Sequence, residues 1–244
     1  MRIVVKCAGP VLLCLALAAC GAPPPRQSAP SGVPAPAAGT RTQIPPPPVP
    51  PRPATRYRID PGQSELRVLV YRAGPMASLG HNHVICTHEL QGWATFDGDP
   101  SAAAFAVTVP VSGFVIDDPG QRREEGGDFA DDVTDEARSG TAHNMLGPAL
   151  LNAADFPALT VRSVSVTATA DSFQARVALE VAGHASVLVV PFTLDRSPRR
   201  LVAHGELTLR QSSIGLTPFS VFLGALKVQD ELRVKFKFAA VGGA

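Results

Sequence analysis

"DELRVKFKFAAV", residues 230–241, alternates with period two. Leu232, Val234, Phe236 and Phe238 fall on one side, and Arg233, Lys235 and Lys237 on the other. Successive side chains of a strand point to opposite faces, so this pattern predicts a β-strand with one face buried. "DSFQARVALEV" (171–181) repeats it, setting Phe173, Ala175, Val177, Leu179 and Val181 against Gln174, Arg176 and Glu180. Further strand candidates are "SELRVLVYR" (64–72), "AFAVTVPVSGFVI" (104–116), "ALTVRSVSVTA" (158–168), "ASVLVVPFTL" (185–194) and "RLVAHGELTLR" (200–210). Each is bounded by Gly, Pro, Asp or Ser. Many short strands with few helix signals predict an all-β fold, a sandwich or barrel of antiparallel meanders.

One stretch breaks the pattern. Residues 117–157 open with the charged, Gly-containing "DDPGQRREEGGDFADDVTDEARSG" and continue into a helical patch around "AHNMLGPALLNAADF". A loop of this length is functional or mobile as a rule. Its acidic residues predict a solvated surface loop, with a calcium site as the alternative. None of them follows the spacing of a twelve-residue EF-hand loop.

The amino-terminal segment reads as targeting information. Met1, Arg2 and Lys6 precede an apolar run from Val11 to Ala19 that is too short to span a bilayer. It ends in "LAAC" (17–20) followed by Gly21, which resembles a bacterial lipobox. That resemblance implies a signal peptide over residues 1–19, acylation of Cys20, and residence in the outer membrane facing the periplasm. Residues 21–54 hold thirteen of the 24 prolines, three arginines and no acidic residue. Such composition predicts a stiff tether, partly polyproline II, that buries no core. Residues 55–244 are left as one domain.

The domain carries 17 basic against 21 acidic residues, a balance of −4 that argues against a nucleic-acid partner. Cys86 is its single cysteine, so an intramolecular disulfide is ruled out, and a lone cysteine in a strand reads as a small buried hydrophobe. No G-x-S-x-G, HExxH or Gly-rich phosphate loop occurs, and a non-enzymatic protein is expected.

Four stretches together resemble the YceI-like family of periplasmic proteins: "YRIDPGQSELRVLVYRAG" (57–74), "NMLGPALLNAADFPALTVRSVSV" (144–166), "LEVAGHASVLVVPFTL" (179–194) and "LTLRQSSIGL…LKVQDELRVKFKF" (207–238). The resemblance implies an antiparallel, lipocalin-like β-barrel with a short helix. Its elongated cavity would hold an isoprenoid lipid or quinone. Phe105, Val107, Val109, Phe173, Val177, Val234, Phe236 and Phe238 become candidate lining residues, on strand faces that could equally fill a solid core. His143, Asn144 and Met145 stand where the family closes its cavity; there "AHNMLG" replaces the family's "HLRS" run.

"SLGHNHVICTHE" (78–89) holds three of the six histidines. If 81–88 is a strand, His81 and His83 share one face and Cys86 and His88 the other. His81, His83 and His143 are then candidate metal ligands at the barrel mouth, or polar partners for a ligand headgroup. The alternative is a turn at "LGHN" in which Asn82 bonds locally and the histidines are structural. His184 and His204 read as exposed edge residues. Three functions stay open: a lipid-anchored carrier of a long amphiphilic isoprenoid, a metal- or haem-associated redox accessory protein, and a structural envelope lipoprotein. An exposed strand edge would leave room for a homodimer.

Overall fold

The computed structural model describes residues 55–242. The expected signal peptide, acylated Cys20 and proline-rich tether lie outside the described residues. Within them, Arg56–Ile59 (β1) and Glu65–Ala73 (β2) form one bent stave, joined through a 3-10 turn over Pro61–Gln63 that the Asp60 carboxylate caps. His83–Thr87 (β3) and Gln91–Thr95 (β4) return beside it, β3 against β2 and β4 against β1. Ala104–Pro110 (β5) and Val115–Ile116 (β6) make the third stave, against β4 and β3. After a long crossover containing Pro119–Glu125 (α1) and Asp135–Leu146 (α2), the chain continues as an up-and-down meander. Its members are Ala158–Ala168 (β7), Phe173–Val181 (β8), His184–Ser197 (β9), Arg200–Arg210 (β10), the short Ser220–Val221 (β11) and Leu226–Gly242 (β12).

β5 pairs with β7, and β12 pairs with β10 on one side and with both β1 and β2 on the other. The sheet therefore closes on itself as eight staves (β1/β2, β3/β4, β5/β6, β7, β8, β9, β10 and β12), the predicted antiparallel lipocalin-like barrel. The alternation in the sequence sets which side chains face inward. Leu232, Val234, Phe236 and Phe238 of β12 point to the interior, while Arg233, Lys235 and Lys237 point out.

The crossover differs from its sequence reading as a solvated loop. Much of it is bound to the outer face of β2 and β3. α1 starts on Asp118, whose carboxylate accepts the Gly120 and Gln121 amides, has Pro119 in its first turn, and stops at Gly126 with φ 60°. Phe129 buries its ring against Leu69, Val84 and Tyr71, its centroid 5.4 Å from that of Tyr71. Arg67 on β2 reaches Glu124 and Glu125 at 2.8 and 2.9 Å, and Lys235 on β12 reaches Glu125 at 2.6 Å. The helix further along also begins earlier than predicted. α2 is capped by Thr134 and ends at Leu146, where Gly147–Pro148 stops it; "GPALLNAADF" is a run of turns.

Asp117 anchors this assembly. Its carboxylate is fully buried, takes the His83 Nδ1 hydrogen at 2.6 Å and the Val84 amide at 2.9 Å, and pairs with the buried Arg122 guanidinium at 2.6 Å. Arg122 also donates to the Asn82 and Asp131 carbonyls. These contacts hold Asp117 in a left-handed conformation, φ 54°, that a side-chain-bearing residue adopts at a cost.

Asp117→Ala strands the Arg122 charge in a buried site, so unfolding free energy is expected to drop by about 3–5 kcal/mol, read as a lower urea midpoint. Acid should act on the same contact. Burial alone would raise the Asp117 carboxyl, but the His83, Val84 and Arg122 contacts outweigh it and hold it below its ordinary value of 3.8. A carboxylate depressed on folding contributes stability above its unfolded value and loses it as pH falls through the folded one. Urea midpoints are therefore expected to decline as pH drops below about 4. The decline should be shallower in Asp117→Ala.

Candidate functional site

The barrel interior is not filled. The inward faces enclose a cavity of about 410 Å³, within the size range of small-molecule sites. Of its lining side chains only His83, Thr95, Thr141, Asn144 and Gln211 are polar, and their placement gives the cavity a direction. At the end where β1 begins, Phe96, Phe105, Phe173, Phe192 and Phe238 line it. Phe173 stacks on Phe192 at 5.3 Å and meets Phe96 edge-on at 6.3 Å. The one polar group there, Thr95, donates to the Ala104 carbonyl. At the other end His83, Thr141, Asn144 and Gln211 gather beneath α2 and the turn after β10.

Local structure explains each polar contribution. Thr141, Asn144 and Met145 are spaced by three and four residues, so they share one face of α2, and all three line the cavity. His83 opens β3 opposite Val70 and shares its inward face with Ile85. Its Nδ1 is committed to Asp117, which leaves Nε2 as the ring nitrogen open to a ligand. Nε2 has no hydrogen-bond partner among the described residues. An imidazole held by a buried carboxylate from outside the wall can accept a hydroxyl proton from a ligand, and when protonated it can donate to a carbonyl.

The wall has a gap. β9 and β10 pair only from Arg200↔Ser197 to His204↔Thr193, although the strands run fourteen and eleven residues. Beyond the last rung the ladder does not continue. At the far end the Ser186 hydroxyl of β9 donates to the carbonyl of Ser213, in the turn that follows β10, at 3.4 Å. At the lower lip Pro191 has no amide hydrogen to give a ladder. Opposite it, a Cβ on Gly205 would come 2.6 Å from the Pro191 carbonyl and 2.3 Å from the Phe236 ring, which only glycine avoids. Leu188 and Val190 of β9 and Leu207 and Leu209 of β10 line the cavity on either side of this slit.

The sequence candidates sort as follows. Phe105, Val107, Phe173, Val177, Val234, Phe236, Phe238, Asn144, Met145 and His83 line the cavity; Val109 is buried in the wall. His81 and His143 do not line it. The strand begins at His83, so His81 falls in the preceding turn, its ring centroid 6.4 Å from that of His83. His143 falls between Thr141 and Asn144, off their face. The ligating atoms of the three histidines do not gather, which corrects the expectation of a shared metal site. The stretch before His83 is a turn as the alternative reading has it, but Asn82 does not bond locally: it accepts the Arg72 amide across the sheet and donates to the Asp128 carbonyl in the crossover.

Glu65, Cys86 and His88 do approach one another, outside the barrel. Their chemistry opposes cation binding. Arg67 holds Glu65 at 2.8 Å, and burial pushes the Cys86 thiol up to about 11, so it keeps its proton. His88 gives its Nδ1 hydrogen to the Ser64 carbonyl, and His204 lies 3.3 Å from Asp195 at the last rung below the slit. Thr141, Gln211 and the slit residues escaped the sequence reading because only the fold brings them to the cavity, and Asp117 because only the fold sets it behind His83.

The comparisons with known proteins agree with this architecture. The crystal structure of Burkholderia cenocepacia BcnA superposes with a TM-score of 0.56 at 16% identity, covering 75% of this chain and 99% of that one. A polyisoprenoid binding domain from Saccharophagus degradans, implicated in plant cell wall breakdown, superposes at 0.51 with 11% identity, covering 77% and 98%. A search of curated protein sequences finds no match. The model of the YceI-like domain matches residues 57–240, nearly the whole barrel, and the chain belongs to the YceI-like family.

Proposed function

We propose that this chain is a binding protein, not an enzyme, that holds a long amphiphilic isoprenoid, a quinone or a polyprenyl lipid. The observation that carries this reading is the polarity of the cavity: Phe96, Phe105, Phe173, Phe192 and Phe238 cluster at one end, while four of its five polar lining side chains lie at the other, among apolar neighbours such as Met145, Leu216 and Phe219. The apolar chain would lie toward Phe96, Phe173 and Phe238, where each buried methylene contributes roughly 0.8 kcal/mol. The head would meet His83, Thr141 and Asn144, with His83 Nε2 as its hydrogen-bond partner. The family membership and the polyisoprenoid binding of the Saccharophagus degradans domain support a ligand of this class. Acylation of Cys20 would tether the barrel to the outer membrane, facing the periplasm, as its lipobox-like sequence suggests.

Every strand and both closing ladders of the barrel lie within residues 56–242, so residues 55–244 form a self-contained unit for testing. Native mass spectrometry of this unit, with lipid extraction and metal analysis, is expected to find a co-purifying isoprenoid. A protein that is empty, or carries stoichiometric metal instead, counts against the proposal. Geranylgeraniol binding in solution should weaken about tenfold in His83→Ala, the loss of one hydrogen bond of about 1.4 kcal/mol. Val190→Trp places an indole in the cavity and is expected to abolish binding while circular dichroism remains that of the barrel.

A further inference from the structure

The segment that closes the polar end of the cavity, Leu216–Gly224, turns two of its side chains inward and two outward. Leu216 and Phe219 line the cavity. Phe222 and Leu223, three residues on, are 67% and 110% exposed. Both take left-handed backbone conformations, with φ of 51° and 55°. A Phe–Leu pair has two reasons not to adopt this arrangement. Left-handed backbone crowds Cβ against the following carbonyl, and exposure leaves both side chains in water. Neither residue contributes to the barrel core, so fold stability does not account for the tip.

The tip is nonetheless held in place. β11 pairs Ser220 with Lys227 and Val221 with Leu226, and the Ala225 amide donates to the Phe222 carbonyl at 3.1 Å. A second turn is joined to it. The Met76 amide donates to the Ala225 carbonyl at 2.8 Å, and Gly80 stands against the Leu226 side chain. That second turn carries Leu79, itself 66% exposed. Two fixed turns at the same end of the barrel thus present Leu79, Phe222 and Leu223 to solvent beside the polar end of the cavity.

We infer that this tip is a membrane-docking surface whose occupant is the interface of a lipid bilayer. Three separate apolar side chains on convex turns offer far less than the roughly 800 Å² per partner of a stable protein interface. They suit insertion between headgroups. The charge around them also chooses among membranes. Lys227 is exposed beside the tip, but Asn82 ties the acid-rich turn at Asp128 to this end. Docking is therefore apolar, and anionic lipid is not required. The inference rests on the isoprenoid reading of the cavity. A ligand dissolved in a bilayer has to be collected there, and the tip sets the cavity's polar end against the headgroups.

The test uses residues 55–244 and phosphatidylcholine vesicles in a flotation assay. The domain is expected to float with the vesicles, with little change between low and high salt. Phe222→Ser combined with Leu223→Gly should reduce partitioning at least about tenfold. Its thermal midpoint should hold or rise, because glycine adopts the left-handed conformation freely. Geranylgeraniol binding by the double variant in solution should match the parent. A parent domain that stays in solution, floats only with anionic vesicles, or floats equally well as the double variant overturns the inference. A domain that floats but binds no geranylgeraniol keeps the docking surface and overturns the cavity reading.

Discussion

Closure of the barrel rests on β12. One edge of this seventeen-residue strand carries β10 over eleven rungs, and the other carries β2 and then β1. No other strand joins both ends of the meander. Once the ring is closed, strand geometry decides the rest: alternate side chains of every stave must meet inside. The phenylalanines at one end pack against one another, yet the ring is wide enough to leave a cavity of about 410 Å³ between its walls. The binding space follows from the closure.

A single carboxylate links the outside of that wall to its inside. Asp117 fastens the crossover to the outer face of β2 and β3 through Arg122 and the Val84 amide. With its second oxygen it holds His83, whose ring belongs to the cavity. Removing Asp117 would loosen the brace and free the imidazole together. Fold and site share this group, and the histidine owes its orientation to residues that no ligand touches.

Much of this architecture was legible in the chain. Periodicity marked β7, β8, β9, β10 and β12 nearly to their ends, because one face of each is buried and the other wet. Resemblance placed the last hairpin, β10 against β12, whereas the stretch it reads as an opening hairpin is the single bent stave of β1 and β2. The misses have physical causes. α1 carries its own start and stop, "DP" and "GG", but seven residues with no apolar stripe look like charged loop. β4, "QGWAT", is too short to show a period. His81 was grouped with His83 because parity was counted from a strand start two residues too early. The left-handed backbone of Phe222 and Leu223 leaves no mark in composition, and a missing ladder between β9 and β10 is invisible in any one strand.

That missing ladder bears on selectivity. A barrel sealed along every seam acts as a ruler: a chain longer than the cavity is refused. Here the β9–β10 seam has no ladder past His204↔Thr193, with Leu188, Val190, Leu207 and Leu209 lining the cavity along that stretch. For the proposed isoprenoid, a tail that outgrows the interior would meet this unladdered stretch of side wall, the place where the sheet resists its passage least. With that ligand, the barrel would grade by the head and the first stretch of chain and be indifferent to total length.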